Sequence, residues 1–144
     1  MERTQKEDFA AGLVRHIADE EAILEKYKHL GGALENGPAS LLIRAIFYDE
    51  EHHHLLLNEM AKGLNGLTDE KPLRVVDGVS RSELMNSVEE LLKHEEETID
   101  NCRKLKLRFI AEESQLMAAI LEALISDSEK HQMMLMALNR ILRT

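Results

Sequence analysis

The chain has 144 residues, with 27 Asp and Glu against 18 Lys and Arg and a formal net charge of −9. That length predicts a single domain, 1–144, with room for a sizeable core, and the charge leaves no basic stripe for nucleic acid or an anionic membrane surface. Two Pro, three Phe and no Trp among many Leu, Ala, Glu, Lys and Met favour an all-α protein, and the lone Cys102 excludes an internal disulfide or a Cys-x-x-Cys metal site.

One cysteine also fits a reducing compartment. The charged start, Met1-Glu2-Arg3-Thr4-Gln5-Lys6-Glu7-Asp8, lacks the apolar region of a signal peptide. No apolar run reaches the roughly 18 residues of a membrane span. The expectation is a soluble, cytoplasmic protein.

Thr4-Gln5-Lys6-Glu7 has the spacing of a capping box and predicts the start of the first helix. Leu13, Ile17, Glu20, Leu24 and Tyr27 then share one face at intervals of three and four. Gly31-Gly32 and Asn36-Gly37-Pro38 bracket its end and the start of a second helix, with Pro38 suited to the first helical position.

In the second helix Ile43, Ile46, Phe47, Leu57, Ala61 and Leu64 form an apolar stripe with Glu50 at its middle and His53 one turn on. A carboxylate on the buried side of a helix is costly unless something neutralises it. A metal ion would do so. The flanking His52 and His54 read as rim residues, and His16, His29 and His94 as partly exposed helix residues.

The second helix fades near Gly63. A long connection to Val79 follows, broken by Asn65-Gly66, Pro72 and Asp77-Gly78. Ser80-Arg81-Ser82-Glu83 is a second capping box and opens helix three, whose apolar face reads Leu84, Val88, Leu91, Leu92, Glu95, Ile99, Cys102 and Leu105. With neither Gly nor Pro in 105–115, the boundary to helix four is placed near Ile110 to Ser114. Helix four reads Met117, Leu121, Leu124, Ile125, Ser128, His131, Leu135, Leu138 and Leu142. Two short connections flanking a long one predict two α-hairpins joined by a crossover, a four-helix bundle.

Sliding helix two onto helix four carries Glu50 to Ser128, 78 positions on, and His53 to His131. Ile43, Ile46, Phe47 and Leu57 fall on Leu121, Leu124, Ile125 and Leu135. Asp49-Glu50-Glu51-His52-His53 overlies Asp127-Ser128-Glu129-Lys130-His131, so the first Asp, the second Glu and the last His are kept. The two halves read as copies of one hairpin. Helices one and three each set a glutamate among apolar neighbours at helical spacing, Glu20 and Glu95, with Glu96 the alternative to Glu95.

One Glu on each of two helices and a Glu-x-x-His on each of the other two is the di-metal carboxylate pattern of ferritin-like bundles. The sequence resembles the rubrerythrin and bacterioferritin branch, in which Asp-Glu-Glu-x-His is a usual form, and Glu20 followed by Tyr27 looks like that branch's first-helix glutamate and tyrosine. The resemblance implies a ferritin-like antiparallel bundle binding iron or manganese, one or two ions, through Glu20, Glu50, His53, Glu95 and His131. It further implies redox chemistry on oxygen or peroxide, as in a rubrerythrin-like non-haem iron oxidoreductase, with a separate electron-donor protein. Tyr27 is expected to donate a hydrogen bond near the site.

Ser128 departs from the pattern, standing where a second bridging carboxylate is expected. Glu20, Glu50 and Glu95 supply −3 where two divalent ions need −4, so one better-bound ion near Glu20, Glu50 and His53 is expected. The contrasting expectation is a structural bundle whose site has decayed, Glu50 and His53 making a satisfied pair with a neighbour such as Arg44. Cys102 is expected in the core. The run Gln132-Met133-Met134-Leu135-Met136 reads as core or a helix–helix contact, and helix four, apolar around more than one face through Leu116, Ile120, Ala123 and Met134, suggests a homodimer or higher homo-oligomer.

Overall fold

The computed structural model describes residues 2–63, 74–112 and 114–144. These form four helices, α1 (Arg3–Ala33), α2 (Pro38–Lys62), α3 (Arg81–Ala111) and α4 (Gln115–Leu142), and no strand among the described residues. They fall into two compact units, Met1–Lys71 with α1 and α2, and Pro72–Thr144 with α3 and α4.

In the first unit α1 begins earlier than the Thr4 box predicts. The Glu2 amide donates to Gln5 Oε1 at 3.1 Å, and Arg3 pairs with Glu7 at 3.0 Å across the first turn. Gln5 thus takes the role expected of Glu7, because Gln serves as well as Glu at the third helical position. Gly31 and Gly32 lie in the last turn of α1, which ends at Ala33, between the two breaker stretches that the sequence sets around it. Ile43 of α2 packs over Gly31, its Cγ2 3.6 Å from where a Cβ would stand. Gly37 and Pro38 open α2 as the sequence predicts. At its other end the Gly63 amide donates to the Glu59 carbonyl at 2.9 Å. Leu64, Asn65-Gly66 and Pro72 lie outside the described residues.

Only Leu13 and Ser40 are buried in this pair. Ile43, Ile46, Phe47, Leu57 and Ala61 are half-buried. The expected stripe is therefore present, but one neighbouring helix covers it incompletely.

The second unit opens with a turn over Val76–Val79, where the Val79 amide donates to the Val76 carbonyl at 3.3 Å and Gly78 has φ +84°. A residue with a Cβ is strained there, so glycine fits the third position of the turn. The Ser80 box forms in full: the Glu83 amide donates to Ser80 Oγ at 3.1 Å, and the Ser80 amide to Glu83 Oε2 at 3.2 Å. Arg81 donates to the carbonyls of Ile141 and Leu142 at 3.4 and 3.1 Å. A cation thereby meets carbonyls that the last turn of α4 leaves open, tying the start of α3 to the end of α4.

Ile99, Cys102, Leu121 and Ile125 form the core of this unit, with Phe109 packed against it. The helix boundary falls within the predicted window: the Glu112 amide closes on Arg108 at 3.0 Å and the Ser114 amide reaches back to Phe109 at 2.8 Å. Leu91, Leu105, Leu124 and Leu138, expected on the inner faces, are exposed instead. The apolar arc read from the sequence is wider than a single partner helix covers.

Candidate metal centre

Within the first unit the helical register delivers Glu20 from α1 and Glu50 and His53 from α2 to one place. Glu20 and Glu50 sit on the facing stripes, and His53 follows Glu50 by one turn. One ligand atom from each of the three lies within 4.8 Å of the others. The Glu20 side chain is 12% exposed, Glu50 24% and His53 48%, so the group runs from the helix–helix seam out to solvent.

Its electrostatics are those of two acids forced together. Glu50 is pushed above its ordinary value, first by the hydrogen bond it shares with Glu20, then by desolvation and by the nearby Glu20 charge; His53 opposes the shift. His53 Nδ1 stands 3.6 Å from Glu50 Oε2. Glu20 Oε2 is buried and has no hydrogen-bond partner, which a buried oxygen rarely tolerates. A carboxylate oxygen in that position calls for a proton or a cation.

The second unit holds the other two expected residues. His131 Nδ1 lies 3.2 Å from Glu95 Oε1, while Glu96 is exposed, so Glu95 is the glutamate that faces the histidine. They line an open groove of about 270 Å³ with Leu91, Met134 and Leu135. Ser128, the residue that the sequence register sets against Glu50, is 5% exposed. Asp127, four residues before His131, is paired with Lys130 at 2.8 Å. The second unit therefore supplies a carboxylate and an imidazole where the first supplies two carboxylates and an imidazole.

Two further histidines stand beside glutamates of α1. His16 Nε2 approaches Glu20 Oε1 to 3.4 Å; its place four residues before Glu20 was the available signal. His54 is only 20% exposed, stands 3.8 Å from Glu21 and keeps a buried Nδ1 without a hydrogen bond. Tyr27 lies two turns along α1 from Glu20 and lines a groove with Gly31, Ile43, Arg44 and Phe47. Arg44 is exposed, and what Glu50 and His53 meet is each other and Glu20.

No described helix is long and apolar enough to cross a membrane. No family model, curated protein or solved structure matches the chain.

Proposed function

We propose that this protein binds a divalent transition-metal ion through Glu20, Glu50 and His53. The observation that carries the proposal is the meeting of two carboxylates from different helices with an imidazole, their ligand atoms all within 4.8 Å. The orphaned Glu20 Oε2 tests the fit and passes, since a cation satisfies it directly. Two carboxylates balance one divalent charge, and a mixed oxygen and nitrogen donor set suits iron or manganese.

The wider reading is a ferritin-like scaffold of two antiparallel hairpins joined by a long crossover. Opposed chain directions within each helix pair support it: Gly31 meets Ile43 while Glu21 meets His54, and Glu95 meets His131 while Arg81 meets Leu142. On this reading Glu95 and His131 are the remaining ligands, and Ser128 leaves their half one carboxylate short, so one ion is held firmly per chain. Bound iron or manganese would supply one-electron chemistry toward oxygen or peroxide, with electrons from a separate donor protein. Glu20 and Glu50 hold charge at the cation, and His53 gives a terminal nitrogen. Exposed Met133, Met134 and Met136 on α4 support association with a second copy.

A second reading, a structural helical protein whose metal site has decayed, is favoured by one observation, the buried hydroxyl of Ser128 where a carboxylate would stand. Thermal unfolding separates the two. A ligand that binds only the folded state, present at about 100 times its Kd, raises the melting point of a chain this size by roughly 5–10 °C. That rise is expected with Fe(II) or Mn(II) added after EDTA treatment, and its loss in Glu50→Ala. Melting indifferent to metal in the wild type supports the structural reading.

A further inference from the structure

We propose that His16 is a fourth ligand of the ion held by Glu20, Glu50 and His53, making the first helix pair a self-sufficient two-imidazole, two-carboxylate site for a divalent cation. The inference rests on the metal reading above and adds to it a residue that lies outside the ferritin-like ligand pattern.

Three observations carry it. His16 Nε2 is 3.4 Å from Glu20 Oε1, and His53 Nδ1 is 3.6 Å from Glu50 Oε2. Both spacings are long for a strong ion-paired hydrogen bond, which runs at about 2.7–2.9 Å. They are close to the separation of about 3.3 Å between two ligand atoms on a tetrahedral ion with bonds of about 2.0–2.1 Å. Each helix thus presents one imidazole and one carboxylate at the distance at which a cation fits between them.

The second observation is symmetry of supply. α1 offers His16 and Glu20, four residues apart, and α2 offers Glu50 and His53, three apart, so both pairs lie on a single helical face. His16 meets the trio through Glu20 alone; its side chain is 59% exposed, so solvent surrounds most of the ring that must swing inward. The third is charge. Two glutamates neutralise a divalent ion and two neutral imidazoles complete four coordination positions, with nothing required of Glu95, Ser128 or His131.

The second helix pair has no counterpart to His16. Four residues before Glu95 stands Leu91, which lines the groove beside Glu95 and His131. The two units therefore differ at two positions, Glu50 against Ser128 and His16 against Leu91, and both differences favour the first unit as the place where a cation is held.

The test uses Co(II) as the probe on the full chain, with affinity from titration against a competing chelator and ligand type from proton NMR. Hyperfine-shifted ring signals count the coordinated imidazoles. The wild type is expected to show two such rings at this site; His16→Ala is expected to show one and to bind Co(II) at least about tenfold more weakly. Circular dichroism confirms that the exposed substitution leaves the helices intact. One ring in both proteins, at equal affinity, with binding lost in Glu50→Ala, overturns the role of His16 and leaves the three-residue site standing. Binding that survives in Glu50→Ala at wild-type affinity overturns the site itself, and this inference with it.

Discussion

Glu20 on α1 and Glu50 on α2 meet carboxyl to carboxyl, and the hydrogen bond between them is the largest cause of Glu50's raised pKa. Such a bond exists only while one proton is shared, because two ionised carboxylates have no donor between them. Once both ionise, two like charges stand together at a half-buried seam, beside a Glu20 Oε2 that already lacks a hydrogen-bond partner. A proton and a divalent cation therefore satisfy the same place.

That competition gives the metal-free protein a pH signature. The folded pKa of Glu50 lies above its ordinary value of 4.5, so its contribution to stability is fully present below about that pH and is lost as pH rises through the raised folded value. In EDTA, Glu50→Gln removes the repulsion and keeps the hydrogen bond. It is expected to melt a few degrees above the wild type at pH 7–8, with the difference vanishing below pH 4.5. Added Mn(II) reverses the order at neutral pH, because only the wild type gains from the ion. Melting curves from pH 4 to 8, with and without metal, check both signs.

Ser128→Glu is expected to raise the bound-metal count from one to two per chain, measured by elemental analysis after gel filtration. The new carboxylate would join Glu95 and His131 at a position only 5% exposed. Without metal the same change destabilises by about 1–3 kcal/mol, since it buries a charged group with no partner. An unchanged metal count means that position 128 is not the counterpart of position 50.

Stability within the second unit is expected to follow burial. Ile125 is 3% exposed in the core with Ile99, Cys102 and Leu121, so Ile125→Ala costs about 2–5 kcal/mol. Ser80→Ala removes the oxygen that accepts from the Glu83 amide and costs about 1 kcal/mol. Leu107, at 68% exposure, tolerates Ala within about 0.5 kcal/mol. Urea unfolding of the three variants checks the ranking.

Much of the fold was legible because its signals are local. Ser80 and Glu83 announce a helix start by side-chain chemistry alone, and Gly37-Pro38 does so by backbone preference. Glu50 and His53 stood out because polar groups interrupt an apolar stripe. What escaped depends on contacts between helices. Leu91, Leu105, Leu124 and Leu138 are exposed because a helix pair covers only part of each arc. His16 was passed over for a different reason: it reads as an exposed helix residue, although its place four residues before Glu20 puts it on that glutamate's face. Glu95 was separated from Glu96 by the approach of His131, which no spacing along one helix reveals.

The metal centre is tested most directly by anomalous diffraction from a crystal soaked in Mn(II) or Fe(II). The expected result is a peak at bonding distance, about 2.0–2.3 Å, from carboxylate oxygens of Glu20 and Glu50 and a ring nitrogen of His53. A loaded crystal whose only peaks lie elsewhere, or that shows none, would contradict a cation site between α1 and α2.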